Sequence, residues 1–404
     1  MKSFDVAVVG GCAAGLAAAI SAKRNHPEMS VAVIEKLPRV GKKLLATGNG
    51  RCNLTNVNCV SHAYRNADFA AGTFRKYPPE SVIDFFASLG LLTYTDSEGR
   101  VYPMSNTAAS VLDALRMGIE KSGVKIFCDT PVEKIEKTAD GFVINSAFRC
   151  KKLIVAVGGK ASPSQGSDGS GYPLMKSLGH GITPLAPSLV ALKADAQVTK
   201  SLKGVRIHDC VICVNGISGE IARSRGEILF TDSGLSGIAA MEAGAAVHRA
   251  LKDGAVYASL DLSPTLSEDD LLQYLKATAK ALPDAALDNL LTGIVPKACS
   301  VAVCKTAGIY APDTKLGSLS ARQLAAAAKF VKSFTLAVTG TKGYENAQVT
   351  SGGVNVGEFD PHTLASKLVD GLYCAGELLD VDGGCGGFNL QWAFASGLLA
   401  GELL

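Results

Sequence analysis

Near its start the chain reads Asp5-Val-Ala-Val-Val9, then Gly10-Gly-Cys-Ala-Ala-Gly15, and after a run of small residues Val31-Ala-Val-Ile-Glu35. The two apolar runs predict buried strands, and the small residues between them predict a helix that starts directly after a glycine turn. An acid closes the second strand. This order of strand, turn, helix, strand and acid is typical of a Rossmann unit that binds a dinucleotide.

Each part of this segment has a role toward a dinucleotide. Gly10 permits the sharp turn, and Gly15 lets the helix pack closely against the strand. The amides at the start of the helix, from Cys12 to Ala14, would face a pyrophosphate. Glu35 is placed to accept a hydrogen bond from a ribose hydroxyl, which favours FAD or NAD over a cofactor with a 2′-phosphate. Cys12 replaces the usual middle glycine of the fingerprint, but its side chain is small enough to permit a close approach.

The same residues also resemble a lipid-attachment signal. Val9-Gly10-Gly11-Cys12 looks like the box of a bacterial lipoprotein, and a lysine stands near the start of the chain. A signal peptide needs a longer apolar core, however, because Asp5 leaves only Val6 to Val9 for it. A second strand with a closing acid has no role in a signal peptide, so the Rossmann interpretation is favoured.

The composition predicts a globular protein of two or three domains. The 404 residues are 47% hydrophobic and 19% charged, which provides a large core and argues against disorder. A net charge of +3 does not by itself indicate a nucleic-acid binder. The sequence has no uninterrupted apolar run of about 18 residues, so we expect no transmembrane helix.

The eleven cysteines do not follow the spacing of a disulfide or metal framework. Cys210 and Cys213 form a CxxC motif, but they lie in a predicted strand. Residues three apart on a strand point to opposite faces, with α-carbons about 10 Å apart, which is beyond the reach of a disulfide. No second cysteine or histidine pair completes a zinc site. We therefore expect a reduced, cytoplasmic protein without a metal.

The character of the sequence changes near residue 190. Before this point Lys152-Leu-Ile-Val-Ala-Val157 predicts a buried parallel strand, whereas residues 189–230 show the short alternating segments of an antiparallel barrel or sandwich. Residues 265–308 have helical spacing, and Gly371-Leu-Tyr-Cys-Ala-Gly-Glu377 again has the character of a buried strand. The two ends of the chain therefore share one fold type, and a different one lies between them.

We predict an α/β fold with a discontinuous Rossmann-type domain that is made from both ends of the chain and is interrupted by a mixed insertion. The first part of the Rossmann-type domain is predicted at residues 1–190 and the second part at residues 341–404. The insertion is predicted at residues 191–340, with its helical part at about residues 263–311.

Two further glycine turns distinguish FAD from NAD. Gly158-Gly159 and Gly376-Glu377 each follow a predicted strand, so three strand ends would deliver a glycine turn to one long cofactor. Gly386-Gly387 would let the backbone approach an isoalloxazine ring. The amides near Phe388, Asn389 and Leu390, at the start of a helix, would stabilise negative charge on the flavin. A second GxGxxG unit for a separate NAD(P)H domain is absent from the sequence.

Three segments carry a resemblance to a family. They are Gly48-Asn-Gly-Arg-Cys-Asn-Leu-Thr-Asn56, Val157-Gly-Gly159 with Gly166-Ser-Asp-Gly-Ser-Gly171, and Ala375-Gly-Glu-Leu-Leu-Asp-Val-Asp-Gly-Gly-Cys-Gly-Gly-Phe-Asn-Leu-Gln391. Together they resemble the BaiN-like, or aminoacetone-oxidase-family, FAD flavoproteins of bacteria, and the resemblance runs from residue 4 to the C-terminus. It implies an FAD-binding domain whose insertion has a β-barrel part and a small helical part.

The resemblance also implies which residues hold FAD. Glu35 would bind the adenosine ribose, Lys43 and the loop Thr47–Asn53 would line the flavin, and Glu377 with Asn389 would close the site. The full set of predicted cofactor-binding residues is Gly10, Cys12, Ala13, Ala14, Gly15, Glu35, Lys36, Lys43, Thr47, Gly48, Asn49, Gly50, Asn53, Val132, Gly158, Gly159, Gly376, Glu377, Asp382, Gly387, Phe388, Asn389 and Leu390.

The family implies reduction of an activated carbon–carbon double bond, in which hydride adds to the β-carbon and an acid protonates the α-carbon. Cys52 and Tyr344 are the candidates for that acid, since a thiol is mostly protonated at neutral pH. Arg51 is the candidate for stabilising reduced flavin or anchoring an acidic substrate. In the structural alternatives Cys52 only fills the core and Arg51 only pairs with a carboxylate. We favour a function for Arg51 because a glycine-flanked arginine has little else to pack on.

We therefore predict an FAD-dependent oxidoreductase that takes electrons from NADH or NADPH and reduces a 3-oxo steroid or bile-acid-like enone. Three alternatives stay open, namely a ribosomal RNA dihydrouridine synthase, a flavin amine oxidase that uses oxygen, and a flavin-binding protein without catalysis. The predicted partner is a small-molecule substrate or an RNA base, with no membrane and no metal. Four basic residues of the insertion would form either a basic face for RNA or an ordinary solvated surface. They are Lys297, Lys305, Lys315 and Arg322.

Overall fold

A computed structural model describes residues 1–311 and 313–404. The chain divides into two compact units. One unit contains Met1–Ala186 and Gln348–Leu404, and the other contains Pro187–Ala347. The first unit is therefore built from both ends of the chain, and the second is inserted between them.

The first segment alternates strands and helices in the manner of a Rossmann fold. Its strands are β1 Lys2–Val9, β2 Val31–Ile34, β3 Thr55–Asn56, β4 Thr93–Thr95, β5 Arg100–Pro103, β6 Lys125–Phe127, β7 Ile135–Thr138, β8 Gly141–Ile144, β9 Phe148–Val155 and β10 Ala186–Ser188. Its helices are α1 Ala13–Asn25, α2 Ala67–Lys76, α3 Pro79–Ser88, α4 Ala108–Lys121 and α5 Gly171–Ser177.

The inserted unit combines long antiparallel strands with a group of helices. Its strands are β11 Leu192–Ala194, β12 Arg206–Gly216, β13 Gly219–Thr231, β14 Gly234–Ser236, β15 Val256–Asp261 and β16 Phe334–Thr341. Its helices are α6 Ala196–Ser201, α7 Ile238–Glu242, α8 Gly244–Ala250, α9 Glu268–Ala281, α10 Lys297–Thr306 and α11 Ala321–Lys332. The last segment adds β17 Val349–Ser351, β18 Leu372–Cys374 and α12 Phe388–Ala400.

The first unit is centred on a mostly parallel sheet with the strand order β6, β2, β1, β9, β8, β7, to which β18 adds by pairing with β9. β1 pairs in parallel with β2 and with β9, so that the glycine turn after Val9 lies next to the ends of Ile34 and Val155. Residues Val6 to Val9 are buried because helices cover the parallel sheet. This arrangement brings the carboxyl ends of β1, β2, β9 and β18 to one edge of the sheet.

Two helices of small residues pack backbone against backbone in this unit. A Cβ atom on Gly397 of α12 would lie 2.3 Å from the carbonyl oxygen of Ala14 in α1, and one on Gly401 would lie 2.4 Å from that of Ala18. Glycine is therefore required at both positions for the C-terminal helix to approach α1 this closely. The end of the chain thereby completes the layer that covers the start of the chain.

In the inserted unit β11, β14, β13, β12, β15 and β16 form a closed antiparallel barrel. The side chains of Ile212, Val214 and Phe230 are buried in its core. Cys210 is buried and Cys213 is partly exposed on the same strand, and all eleven cysteines are free thiols. The parallel-sheet core and the inserted barrel confirm the predicted fold class.

The capping box of α9 is formed by Ser267 and Asp270, whereas the spacing of Thr265 and Glu268 in the sequence indicates one that begins two residues earlier. Ser267 has the extended backbone that an N-cap needs, and its hydroxyl accepts from the amide of Asp270. The C-terminal helix begins at Phe388, where the sequence predicts its first amides, and Gly387 takes a left-handed conformation directly before it.

No helix in residues 1–311 and 313–404 combines the length and apolar character that crossing a membrane requires. Among these same described residues, no group of three or more His, Cys, Asp and Glu side chains is arranged to hold a metal ion.

Candidate functional site

The glycine turn after β1 and the acid after β2 are joined by hydrogen bonds. The Gly11 amide donates to Glu35 Oε2 at 2.7 Å, and the Leu37 amide donates to Glu35 Oε1 at 2.9 Å. Glu35 is buried, and these two bonds fix the position of its carboxylate beside the turn. A carboxylate accepts about four hydrogen bonds, so Glu35 keeps acceptor sites for a ribose hydroxyl.

The start of α1 is arranged for an anion. Cys12 is the N-cap residue, and its side chain makes no capping hydrogen bond to the helix. The first turn carries no acidic residue, so the amides at Ala13 and Ala14 are not neutralised by a carboxylate of their own helix. Burial is the main influence on the Cys12 thiol and raises its pKa. The residue predicted to lie at the pyrophosphate is therefore a neutral thiol.

The second glycine turn follows β9 and lies beside the buried hydroxyl of Ser167. Gly158 has a φ of +74°, and a Cβ atom on it would lie 3.3 Å from Ser167 Oγ. In the described part of the chain this buried oxygen has no hydrogen-bond partner. Lys36 reaches the same loop and pairs with Asp168 at 2.7 Å. Burial alone would raise the pKa of Asp168, but hydrogen bonds from Lys36 and Ser170 lower it to about 2.

A polar network connects the third glycine turn, after β18, with the turn after β9 and with the loop that carries Lys43. Lys43 Nζ lies 2.8 Å from Glu377 Oε2 and 3.2 Å from the carbonyl oxygen of Ala161. Glu377 Oε1 accepts from the Thr350 amide at 2.8 Å. Thr350 Oγ1 in turn accepts from the amides of Lys160 and Ala161 at 2.7 and 3.0 Å. The network therefore holds the loop of Lys43, the turn after β9 and the turn after β18 in one arrangement.

Thr350 is a member of this network that sequence reasoning missed. It lies on β17, 27 residues before Glu377, and belongs to none of the glycine motifs considered. The polar and glycine-rich run Thr350-Ser-Gly-Gly353 directly after an apolar residue was the available signal. Gly159 must remain glycine beside it, since a Cβ atom there would lie 2.4 Å from Thr350 Oγ1.

The loop from Thr47 to Asn53 has an unusual backbone. Gly48, Asn49, Gly50 and Cys52 all have positive φ values, between +56° and +82°. For Asn49 and Cys52 this conformation is strained, and strain of this kind persists only where the surroundings enforce it. Hydrogen bonds within the loop provide part of that enforcement, since the Cys52 amide donates to the Thr47 carbonyl and the Thr47 hydroxyl donates to Leu44.

Cys52 is fully buried in the core beneath this loop. Burial raises the pKa of its thiol from 9.0 to about 12, and a hydrogen bond with Thr47 works weakly in the opposite direction. An acid that protonates a substrate must contact it, and solvent does not reach this thiol. These observations favour the packing alternative for Cys52.

We expect the contribution of Cys52 to stability to depend on pH. The folded protein holds the thiol proton more tightly than the unfolded chain, so this contribution is complete below about pH 9 and is lost between about pH 9 and about pH 12. Urea unfolding of wild type and Cys52→Ala should show the alanine variant less stable at neutral pH. The difference should shrink by about 1.4 kcal/mol per pH unit above pH 9. A difference that stays constant with pH would contradict the burial argument.

Arg51 does not lack a packing partner, which corrects the expectation from the sequence. Its guanidinium lies over the ring of Tyr102, with 4.5 Å between the Cζ atom and the ring centroid. Tyr102 is on β5 and is almost completely buried. The sequence did not reveal this contact because about fifty residues separate the two side chains.

The end of the same loop meets the start of α12. Asn53 Oδ1 is buried without a hydrogen-bond partner in the described residues, and a Cβ atom on Gly387 would lie 2.8 Å from it. The Asn56 amide group donates to the Gly386 carbonyl at 3.0 Å, and Thr55 Oγ1 donates to Gln391 Oε1 at 2.7 Å. The segments with the strongest family resemblance are thus brought into direct contact.

Asn389, Asp380 and Asp382 make hydrogen bonds that hold the loop before α12 in place. Asn389 accepts from the Gly383 amide at 2.9 Å and donates to the Gly383 and Gly384 carbonyls, so its side chain shapes the glycine loop. Asp380 is buried and pairs with Arg65 at 2.6 Å and with Thr183 at 2.9 Å, which assigns it to loop geometry. The main-chain oxygen of Asp382 accepts from the Arg65 amide.

The other predicted residues lie in different surroundings. Gly376 has its amide bound to Ser396 and its carbonyl bound to Trp392, and a Cβ atom on it would lie 2.9 Å from Ala14 Cβ. Val132 is a partly buried side chain at the edge of the core of the first unit.

Tyr344 belongs to the inserted unit, where its ring lies 6.5 Å from that of His248. Burial raises the pKa of Tyr344, with Arg249 acting in the opposite direction, so the phenol is protonated at neutral pH. This is the form that an acid needs, and its role remains a prediction.

The site of the first unit fits FAD. Three strand ends present glycine turns, and two buried oxygen atoms lack a partner in the described residues: Ser167 Oγ beside the turn after β9, and Asn53 Oδ1 beside Gly387 at the start of α12. A buried polar group without a partner is costly, and a bound cofactor with hydroxyl and amide groups would satisfy both. The helix starts at Ala13 and Phe388 provide two places for negative charge.

Comparison with known proteins identifies the family of this chain. The sequence matches the HI0933-like protein Rossmann domain family over residues 4–403. The chain belongs to this family. The family relationship expected from the sequence motifs is thereby confirmed.

Two relatives and one solved structure extend the comparison. The 3-dehydro-bile acid delta(4,6)-reductase of Clostridium scindens is 38% identical, covering 98% of each chain. The ribosomal RNA dihydrouridine synthase of Escherichia coli is 29% identical, covering 98% of this chain and 96% of that protein. The structure of 3-ketosteroid delta1-dehydrogenase from Sterolibacterium denitrificans is 13% identical, with a TM-score of 0.53 and 99% of each chain covered, and it shows a shared fold. The chain is an FAD-dependent oxidoreductase.

Proposed function

We propose that this enzyme reduces a carbon–carbon double bond conjugated to a carbonyl group, with NADH or NADPH as the electron donor. The proposed substrate class is a 3-oxo steroid or bile-acid-like enone. The observation that carries the proposal is the 38% identity, over nearly the full length of both chains, to a protein named as a 3-dehydro-bile acid delta(4,6)-reductase. The structural support comes from the cofactor cradle, by which we mean the three glycine turns after β1, β9 and β18 together with Glu35, the loop from Lys43 to Asn53 and the start of α12.

The residues of the cradle would divide the binding of FAD among them. Gly10, Gly15 and the first amides of α1 would hold the pyrophosphate, and Glu35 would accept from the adenosine ribose. The Lys43–Glu377 pair would fix the loop that lines the flavin. Asn53 Oδ1 would accept a hydrogen bond that no protein group supplies in the described residues. When bound, FAD supplies the chemistry of hydride transfer.

The proton of the reaction requires a group on this chain or a water molecule. The buried thiol of Cys52 is poorly suited, for the reasons given above. We retain Tyr344 as the proposed acid because its phenol is protonated at neutral pH. Comparison of Tyr344→Phe with wild type tests this assignment, and a loss of turnover with unchanged flavin reduction is the expected result.

Reduction of uracil in ribosomal RNA is the second candidate function. Two proteins named as ribosomal RNA dihydrouridine synthases, from Escherichia coli and Haemophilus influenzae, are 29% and 28% identical to this chain. The predicted basic face gives this candidate limited support, because Lys297 pairs with Asp288 at 2.8 Å and Lys305 lies over the ring of Tyr310. The lower identity makes the enone the preferred substrate class.

Anaerobic stopped-flow measurement of both half-reactions tests the proposal. FAD-loaded protein is first reduced with NADH or NADPH, and reoxidation is then followed with an enone steroid, with the saturated ketone of the same steroid, and with a ribosomal RNA fragment. We expect rapid bleaching by a nicotinamide and recovery only with the enone. Recovery only with the RNA fragment would select the second candidate, and recovery only with oxygen would contradict both.

A further inference from the structure

Arg51 carries a positive charge that no carboxylate on the described part of the chain neutralises. The only hydrogen bond of its side chain there is a long one, 3.4 Å from Nε to the Gly48 carbonyl oxygen, and the side chain takes part in no ion pair with the described residues. Arg100, on the same small sheet as Tyr102, differs in this respect, because it pairs with Asp96 at 2.8 Å and with Glu98 at 2.9 Å. The two Nη atoms of Arg51 are therefore available as donors to a ligand.

The guanidinium of Arg51 is nevertheless held in place. It stacks on Tyr102, whose ring stacks in turn on Tyr94 with 5.8 Å between the centroids. Tyr94 donates to Asn106 at 3.2 Å, which fixes the outer end of this stack. Contact with an aromatic face orients an arginine without using its hydrogen-bond donors. Arg51 is thus oriented in advance of binding, and ordering it costs little when a ligand arrives.

The loop that carries Arg51 belongs to the cofactor cradle. A Cβ atom on Gly48 would lie 3.6 Å from Tyr102 Cε1 and 2.8 Å from the Asn53 amide nitrogen, so the loop lies directly against the tyrosine. Two residues after Arg51, the unpartnered Asn53 Oδ1 lies beside Gly387 at the start of α12. Apart from its two chain neighbours, no heavy atom of the described residues lies within 4 Å of a Cβ position on Gly50, which leaves open space next to the arginine.

We propose that Arg51 donates hydrogen bonds from its Nη atoms to the substrate carbonyl oxygen that is conjugated to the reducible double bond, and that Tyr102 is the residue that positions it. This inference rests on the function proposed above. It assigns Arg51 to stabilisation of the transition state of that reduction. The ligand group is an oxygen atom that gains negative charge during the reaction.

The chemistry explains why a guanidinium is suited to this place. As hydride adds to the β-carbon, the electron pair of the carbon–carbon π bond moves through the conjugated system to the carbonyl oxygen. A proton then adds to the α-carbon and the electron pair returns, so the ketone is retained and the double bond is lost. The hydride comes from the reduced flavin, which NADH or NADPH regenerates. Fixed donors aimed at an oxygen that becomes negative lower the barrier of such a step.

Measuring the two half-reactions separately distinguishes stabilisation of the substrate carbonyl oxygen from a role in FAD binding or in reduction of the flavin. We expect Arg51→Gln to slow reoxidation by an enone steroid by about 10²–10³-fold, the usual effect of losing an oxyanion donor, while reduction by the nicotinamide and the Kd for FAD remain unchanged. Arg51→Lys should keep part of the rate. Tyr102→Leu should lose more of the rate than Tyr102→Phe, which preserves the ring that orients the guanidinium. Arg75→Gln, at an exposed arginine on α2, serves as the control.

A spectroscopic measurement gives a readout that does not depend on turnover. The infrared carbonyl stretch of an enone steroid bound to the oxidised protein should shift to lower frequency in wild type, and this shift should be reduced in Arg51→Gln. Thermal unfolding of each variant identifies one that has failed to fold, in which case Arg51→Lys and Tyr102→Phe provide the comparison.

Several outcomes would overturn the assignment. Weaker FAD binding in Arg51→Gln would assign the arginine to the cofactor, and slower reduction by the nicotinamide alone would assign it to the donor. Loss of binding for a carboxylate-bearing steroid, but not for its neutral ester, would make Arg51 a carboxylate anchor. If wild type is reoxidised by the enone and Arg51→Gln is equally fast, only this inference fails. If no enone reoxidises wild type, the proposed function itself fails.

Discussion

Gly15→Ala is expected to abolish tight FAD binding and to lower the stability of the first unit. A Cβ atom at this position would lie 1.8 Å from the Gly10 carbonyl oxygen, 3.0 Å from its carbonyl carbon and 3.3 Å from Val8 Cγ1. The first two contacts are with backbone, so no side chain can rotate to relieve them. The start of α1 must move away from the glycine turn, and the amides that face the pyrophosphate move with it.

We expect this substitution to weaken FAD binding by at least about 100-fold, since displaced donors lose several hydrogen bonds to a charged group. The free energy of unfolding should fall by about 1–3 kcal/mol or more, the usual cost of overpacking. Titration of apoprotein with FAD and urea unfolding measure the two effects. Gly340→Ala on β16 is the matched control, because its nearest contact would be an ordinary 3.5 Å to Lys193 Cδ. FAD affinity equal to that of wild type in Gly15→Ala would show that the cradle lies elsewhere.

Glu377→Ala is expected to have the second largest effect. The substitution removes the acceptor for both Lys43 Nζ and the Thr350 amide, and the two charged side chains of the pair are only 22% and 20% exposed. A mostly buried ammonium without its partner is costly, so we expect the free energy of unfolding to fall by about 2–3 kcal/mol. FAD affinity should fall as well, because the network joins three segments of the cradle.

A double variant separates stability from cofactor binding in this network. Lys43→Met combined with Glu377→Gln removes the charges together, so much of the lost stability should return while FAD affinity stays low. Glu220→Ala is the control for loss of an ordinary ion pair, since Glu220 and Arg223 are exposed on the barrel. It should change stability by less than about 1 kcal/mol. Urea unfolding and FAD titration of the three variants test these expectations, and unchanged FAD affinity in Glu377→Ala would exclude the network from the cradle.

The sequence predicted well those features that depend on residues close together in the chain. The strands β1 and β2, the turn at Gly10 and the helix after it follow from a hydrophobic period and from the conformations that glycine permits. The alternation in β12 and β13 predicted a barrel or a sandwich, and the family resemblance favoured the barrel. The start of α12 at Phe388 also agrees with the helix start predicted directly after Gly386-Gly387.

Contacts between distant segments were beyond sequence reasoning. Lys43 and Glu377 were each assigned to the cofactor, yet nothing in either motif indicates that they form an ion pair across 334 residues. Sequence reasoning did not include Thr350, which reaches the site only because of the path of the folded chain. For Arg51 the local sequence was misleading, because its glycine neighbours suggested that no packing partner existed while Tyr102 supplied one from another strand. A single sequence records residue types, whereas these pairings depend on the three-dimensional path of the chain.

The central claim is that this FAD-dependent enzyme reduces the double bond of an enone, and identification of the product tests it most directly. Purified FAD-loaded protein would be incubated without oxygen with an enone steroid and with NADH or NADPH deuterated at the transferable position. The product would then be analysed by NMR and mass spectrometry. The account predicts a steroid with an intact ketone, deuterium on the former β-carbon and a solvent-derived hydrogen on the former α-carbon. Recovery of an alcohol with its double bond intact, or of unchanged enone, would contradict it.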